Sequence, residues 1–314
     1  MNISDVAARL RGMDRVLILT HVRPDGDTIG CASALCQALR DLGKEACLLY
    51  NPEITATYAP YAAPYWARED WQPDFVVSTD VAVPGLLPAN AEPYLDRIAL
   101  AIDHHPSHSY FSAESYVDPS AAACGEILYA VIRELTSITP AIALPLYVAV
   151  STDCGCFSYG NTTARTHRIA AELMEVLNDV SAINKALFRT KSKVRLAMES
   201  RMVADMELYD NDRVVVMTIP LALRREMNAT EADIEELSSL AALVEGTDCA
   251  ITLRELRRGV IKISLRTGPR VNATEVCARL GGGGHRAAAG ATMEGTLESV
   301  KAAVLAAVEE VVGA

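Results

Sequence analysis

Four apolar runs in this chain each lead within three residues to aspartate or histidine, and no other feature limits its fold as tightly. Arg15-Val-Leu-Ile-Leu-Thr20 leads into His21-Val-Arg-Pro-Asp25-Gly-Asp27, and Asp74-Phe-Val-Val-Ser-Thr79 into Asp80. Arg97-Ile-Ala-Leu-Ala-Ile102 leads into Asp103-His104-His105, and Leu144-Pro-Leu-Tyr-Val-Ala-Val150 into Ser151-Thr-Asp153. The first three read as buried strands; length and alanine content make the fourth a helix. Between the first and second clusters, Ile29, Ala32, Leu35, Cys36, Leu39 and Leu42 recur at helical spacing. Gly43 closes that helix, and Ala46 to Tyr50 follows as a strand. Strands alternating with helices imply a mostly parallel sheet with right-handed crossovers. Ligands of such sheets bind beyond the carboxyl ends of the strands, where these polar clusters fall.

At 314 residues the chain exceeds one typical domain. Residues 165 to 205 read as helices, and within them Lys185, Arg189, Lys191, Lys193 and Arg195 form the densest basic cluster. That cluster is either a solvated helix face or a wall that meets phosphate. A new alternation of strands and helices begins at Arg213-Val-Val-Val-Met-Thr218, with cap patterns at Asn228-Ala-Thr-Glu231 and Asn272-Ala-Thr-Glu275. It continues through four glycines, Gly281 to Gly284, then His285, to a last helix over about 296 to 312. The expected α/β architecture is a catalytic domain over 1–190 with a sheet flanked by helices, a helical linker over 191–211 and a smaller α/β domain over 212–314.

The formal net charge of −11 argues against coating duplex nucleic acid by charge neutralisation, but leaves room for a small phosphate substrate in a local site. No apolar stretch approaches the roughly 20 residues of a bilayer span, and the first residues lack a basic-then-apolar leader. The eight cysteines are scattered without a CxxC pair. These features predict a cytoplasmic protein with reduced thiols and no membrane partner.

Of six histidines, His21, His104 and His105 lie inside the strand-end clusters. His108 and His167 stand alone and are assigned to the surface. Singly, Asp25-Gly-Asp27 would be an Asx turn, Asp80 and Asp153 helix caps, and Cys154 and Cys156 packing residues. Together, Asp25, Asp27, Asp80 and Asp153 bring four carboxylates to one sheet edge, where they cannot all ionise without a cation. Mixed oxygen and nitrogen donors suit manganese, with magnesium, cobalt or iron as competitors; a thiolate zinc site is excluded. Six ligands exceed the needs of one open ion, so two divalent ions are expected, roughly 3.5–4 Å apart, in a site suited to hydrolysing phosphate esters.

The series His21-x-x-x-Asp25-x-Asp27, Asp80, Asp103-His104-His105 and Asp153 resembles the DHH phosphoesterase family. Gly281-Gly-Gly-Gly-His285-Arg-Ala-Ala-Ala-Gly290 resembles the signature of the DHH-associated C-terminal domain. The resemblance covers nearly the whole chain. It implies that His21, Asp25 and Asp80 hold one ion, that Asp27, Asp80, His104 and Asp153 hold the other, and that Asp80 bridges them. It implies that His105 faces the phosphoryl group and that Asp103 orients a histidine ligand. Gly282, Gly283 and Gly284, with Gly281, would form an anion nest. His285 would donate to a substrate phosphate, and Arg266 would clamp one. Two departures stand out: Cys154-Gly155-Cys156-Phe157-Ser158 replaces a Thr-Gly and Phe-Arg pattern, and Cys31 stands where serine is common.

The implied activity is that of the branch that degrades very short oligoribonucleotides and dephosphorylates adenosine 3',5'-bisphosphate. Cyclic or linear dinucleotide hydrolysis is the enzymatic alternative, and a non-catalytic nucleotide-binding sensor the alternative of another class. The expected partners are short RNA or nucleotide phosphates, with a homodimer left open.

Overall fold

The computed structural model describes residues 1–312, without the side chains of Glu235 and Glu236. Internal packing divides the chain into two units, Met1–Thr190 and a second from Lys191 onward. The first runs α1 (Ile3–Arg11), β1 (Val16–Leu19), α2 (Gly26–Asp41), β2 (Ala46–Leu48), α3 (Ala59–Ala62), β3 (Phe75–Thr79), β4 (Ile98–Asp103) and β5 (Glu114–Val117). It ends with α4 (Cys124–Leu135), α5 (Pro140–Asp153), α6 (Ala164–Leu177) and α7 (Ser181–Asn184). The five strands lie in the order β2-β1-β3-β4-β5 and are all parallel. The order reverses between β1 and β3, which is where a doubly wound sheet opens a crevice.

Alternate residues of the strands face opposite sides of the sheet, except across a register shift at Ala99 that puts Ile98 and Leu100 of β4 on opposite sides. Val16, Ile18, Val77, Leu100 and Ile102 pack with α1, α2, α4 and α5, while Leu17, Leu19, Val76 and Ile98 pack with Trp71, Leu87 and Tyr94. The β3–β4 connection is not an α-helix but two 3₁₀ segments, Pro84–Leu86 and Ala89–Arg97, the latter with Pro93 inside it. The edge strand β5 was not foreseen, because Glu-Ser-Tyr-Val is half-buried and carries no apolar run. The apolar run at 144–150 is helical and is buried from Pro145 onward, as expected for a helix that is hydrophobic all round.

Helices α2 and α5 meet through a glycine seam. A Cβ on Gly30 would lie 2.3 Å from the Pro145 carbonyl oxygen, and one on Gly26 would lie 2.3 Å from Thr152 Oγ1. Only glycine allows this approach, and it brings the end of α5, with Asp153, to the first turn of α2, with Asp27.

The second unit holds α8 (Lys193–Ala204), β6 (Glu207–Tyr209), β7 (Val214–Ile219), α9 (Leu221–Glu226), α10 (Glu231–Ile234) and β8 (Cys249–Arg257). It continues with β9 (Val260–Thr267), α11 (Ala273–Arg279), β10 (Gly283–His285), β11 (Ala288–Glu294) and α12 (Leu297–Val312). Its sheet has the order β10-β11-β9-β8-β7-β6, and of these neighbours β7 and β8 pair in parallel. Ile251, Leu253, Ile261, Ile263 and Leu265 face α11 and α12, whereas Val215, Met217 and Ile219 face Met198 and Met202 of α8. The helix expected after Asn228 is one turn, α10, followed by a 3₁₀ segment over Glu235–Leu243. Among the described residues no helix is long and apolar enough to cross a membrane.

Candidate metal centre

The polar clusters converge. Nitrogen or oxygen atoms of His21, Asp25 and Asp80 lie within 4.8 Å of one another, as do those of Asp27, His104 and Asp153. Asp80 belongs to the first group and also lies 3.6 Å from His104 Nε2 through Oδ1, so one carboxylate joins the two halves. His104 Nε2 is 3.9 Å from Asp27 and 3.7 Å from Asp153. His21 Nε2 is 3.5 Å from Asp25 and 3.8 Å from Asp80.

Backbone geometry sets each of these side chains. Asp25 is the N-cap of α2, its Oδ1 accepting from the amides of Asp27 and Thr28, as a short polar side chain at a helix start does. Asp27, in the same first turn, reaches across to the N-terminus of α4 and accepts from the amides of Cys124 at 2.7 Å and Gly125 at 2.9 Å. The Cys31 thiol donates to Asp27 as well, at 3.2 Å. Asp80 sits at φ +59° with its amide donating to the Ile102 carbonyl; aspartate tolerates this left-handed conformation better than most residues.

Both candidate histidine ligands are locked in one ring orientation. His21 Nδ1 lies 2.8 Å from the Val22 carbonyl oxygen, and His104 Nδ1 lies 3.2 Å from that of Ala121. A carbonyl can only accept, so each Nδ1 carries a proton and each Nε2 is the ring nitrogen that faces the carboxylates.

Burial pushes the Asp27 and Asp80 carboxyls well above the usual carboxylate range, and the charges of neighbouring aspartates push the same way. Burial raises Asp153 too. For His21, burial opposes protonation, but hydrogen bonding and charge from Asp25 prevail and raise its pKa. Asp80 Oδ1 is buried without a hydrogen-bond partner. An orphaned acceptor amid crowded acids and two imidazole Nε2 atoms aimed at them is a donor set that fits hard or borderline divalent cations.

His105 differs from its neighbour. Its Nδ1 lies 2.8 Å from Asp103 Oδ1, and that hydrogen bond raises its pKa against the opposing effect of burial. Asp103 is fully buried and also accepts from the His104 amide. The Asp103 side chain thus holds the His105 ring, while backbone carbonyls hold His21 and His104. His108, assigned to the surface from sequence, is buried and stacked on Phe111 at 5.2 Å. His167 is exposed and stacks on Phe157.

In the second unit the glycine run is not the open nest expected from sequence. Gly281, at φ +75°, donates to the Ala278 carbonyl and Gly282 donates to that of Cys277. Those two amides close α11 in a Schellman pattern, and Gly283 and Gly284 enter the edge strand β10. His285 is exposed and opposite Ala288, which is opposite Arg266. Paired residues share a face, so His285 and Arg266 stand on one side of the sheet, about 10 Å apart across two strand spacings. Arg266 donates to its neighbouring Leu265 carbonyl and makes no ion pair among the described residues. Of the basic cluster, Lys191 and Arg195 both pair with Glu199, and Lys185, Arg189 and Lys193 are exposed.

A parallel sheet that gathers acids and ring-fixed imidazoles at its switch point defines a metal-dependent phosphoesterase. The chain belongs to the DHH family: residues 15–150 match "DHH family, N-terminal domain" and residues 211–314 match "DHHA1 domain". It is 32% identical to the bifunctional oligoribonuclease and PAP phosphatase NrnA of Thermus thermophilus, over 94% of this chain and 89% of that protein. With the protein of the same name in Bacillus subtilis it shares 24% identity over 89% and 90% of the two chains. Among solved structures, an exopolyphosphatase-related protein from Bacteroides fragilis superposes with a TM-score of 0.87 at 21% identity, over 98% of this chain and 95% of that one, and so shares the fold.

Proposed function

We propose that this chain is a two-ion phosphoesterase that hydrolyses very short oligoribonucleotides to mononucleotides and releases phosphate from adenosine 3',5'-bisphosphate. The observation that supports the reading most is the convergence of six ligand side chains, with Asp80 shared, in a chain whose relatives over nearly its full length are named for these two activities. His21, Asp25 and Asp80 would hold one ion, and Asp27, Asp80, His104 and Asp153 the other, with manganese favoured by the mixed donors. Bound there, divalent ions supply a water activated at neutral pH and neutralisation of phosphoryl charge.

The protein's own groups do the rest. His105, held through Nδ1 by Asp103, keeps a proton available at Nε2 for the phosphoryl or leaving oxygen, where charge builds as the bond breaks. On the second sheet, Arg266 and His285 would hold a substrate phosphate. The test is product analysis with manganese on end-labelled di-, tri-, penta- and long RNA, beside adenosine 3',5'-bisphosphate and cyclic dinucleotides. The reading expects mononucleotides from the shortest RNAs and AMP from the bisphosphate, both lost in Asp80→Ala. Cleavage confined to cyclic dinucleotides, or turnover unchanged in Asp80→Ala, contradicts it.

A further inference from the structure

The two halves of the site are supported in different ways. Around His21 and Asp25 the supporting bonds are local: the carbonyl of Val22 and the amides of Asp27 and Thr28, all within three residues of the side chain they hold. The Asp27–His104–Asp153 half depends on a segment distant in sequence. The carbonyl of Ala121 fixes His104, and the amides of Cys124 and Gly125 hold Asp27. Anything that moves residues 121–125 moves two of the three ligands at once.

That segment is pinned from α6 and the turn before it. Arg165 Nη1 donates to Asp118 at 3.2 Å and Arg165 Nε lies 3.2 Å from Glu126, so one guanidinium ties both ends of the segment. Glu126 is buried; its Oε2 meets Arg165 as an ion pair without a hydrogen bond, and its Oε1 accepts from Thr166 Oγ1 at 2.5 Å. Asn161 Nδ2 donates to the Ala122 carbonyl at 2.9 Å and to the Asp153 carbonyl at 3.1 Å. Its amide thus links the segment that supports His104 and Asp27 to the residue that completes their group. The turn between Asp153 and Asn161 holds Cys156 at φ +53° and Phe157 at φ +66°, a strained path that needs fixed ends.

We propose that Arg165 and Asn161 are positioning residues that set the ion affinity of the Asp27–His104–Asp153 half without touching ion or substrate. The planar fork of Arg165 is what spans two carboxylates, so lysine is not an equivalent replacement. The proposal rests on the two-ion reading above. Loss of partners behind metal ligands costs about 10–100-fold in affinity, and here the loss should fall on one ion only.

The experiment is titration of the metal-free full chain with Mn2+, followed by calorimetry and by electron paramagnetic resonance of bound manganese. It covers the wild type, Arg165→Met, Arg165→Lys and Asn161→Ala, with Asp25→Asn and Asp153→Asn marking the two halves. Asn161→Ala removes no charge and guards against a variant that fails to fold. The expected result is two binding steps in the wild type, one of them weakened about 10–100-fold in Arg165→Met and Asn161→Ala. That step should be the one weakened in Asp153→Asn, with Arg165→Lys restoring it only in part. Equal weakening of both steps, weakening of the Asp25-dependent step, or no change overturns the clamp. Fewer than two steps in the wild type overturns the two-ion reading instead.

Discussion

Replacing Asp80 by asparagine should move stability in opposite directions with and without metal. In the metal-free protein Asp80 is a buried carboxylate whose Oδ1 has no partner, beside other acids that raise its pKa after burial has done so. Asparagine removes the charge that burial and the neighbouring acids disfavour, each pKa unit of which is worth about 1.4 kcal/mol, and it tolerates the same φ of +59°. Asp80→Asn should therefore stabilise the metal-free protein by about 1–3 kcal/mol, roughly 2–12 °C in a unit of this size. The pH dependence has a definite sign. The folded pKa lies above the unfolded value near 3.9, so the native state keeps a proton that the unfolded chain has lost. The stability due to this group is full below about pH 3.9 and falls as pH rises through the raised pKa, so the gain from asparagine should be larger at pH 8 than at pH 5. With manganese in excess the order reverses, because each of two ions at 100 times its Kd adds about 2.7 kcal/mol to the wild type, whereas the variant, without the shared carboxylate, gains little from either. Thermal unfolding in chelator and in manganese, at both pH values, measures all four quantities. A metal-free variant no more stable than wild type, or one with the same manganese-induced shift, would refute the reasoning.

Three further outcomes follow from the geometry. Gly30→Val places a branched side chain against the Pro145 carbonyl and should cost about 1–3 kcal/mol by overpacking; urea unfolding measures it, and manganese affinity should fall with the displaced Asp153. His105→Gln should lower kcat about 10²–10⁴-fold with both ions still bound, as read by steady-state kinetics beside metal content; loss of an ion would make it a ligand instead. Arg266→Ala should raise KM for the bisphosphate roughly 10–100-fold with kcat little changed, and an unchanged KM would remove it from the substrate site.

Much of this was legible in the residues because strand ends and acids coincide in the chain. The runs ending at Thr20, Thr79 and Ile102 are strands or lead out of them, and the clusters meet at the sheet edge where the strand order reverses. What the sequence hid is what depends on distant partners. β5 and β11 have too little apolar contrast to stand out, Glu-Ser-Tyr-Val and Ala-Ala-Gly-Ala-Thr-Met-Glu. The run Gly281 to Gly284 signals conformational freedom, yet a helix terminus and an edge strand use it differently from a phosphate nest. His108 looks solitary in the chain and is buried by Phe111, three residues away but on no recognisable period. Glu126, Asn161 and Arg165 belong to no motif in the reading of the chain. Asparagine after the Asp153 turn was their one visible signal, since its side chain can bridge two carbonyls.

Anomalous diffraction at the manganese edge from crystals grown with the ion tests the central claim most directly. The account predicts two peaks, one bounded by His21, Asp25 and Asp80 and the other by Asp27, His104 and Asp153, with Asp80 touching both. A single peak, or manganese bound away from these six side chains, would contradict it.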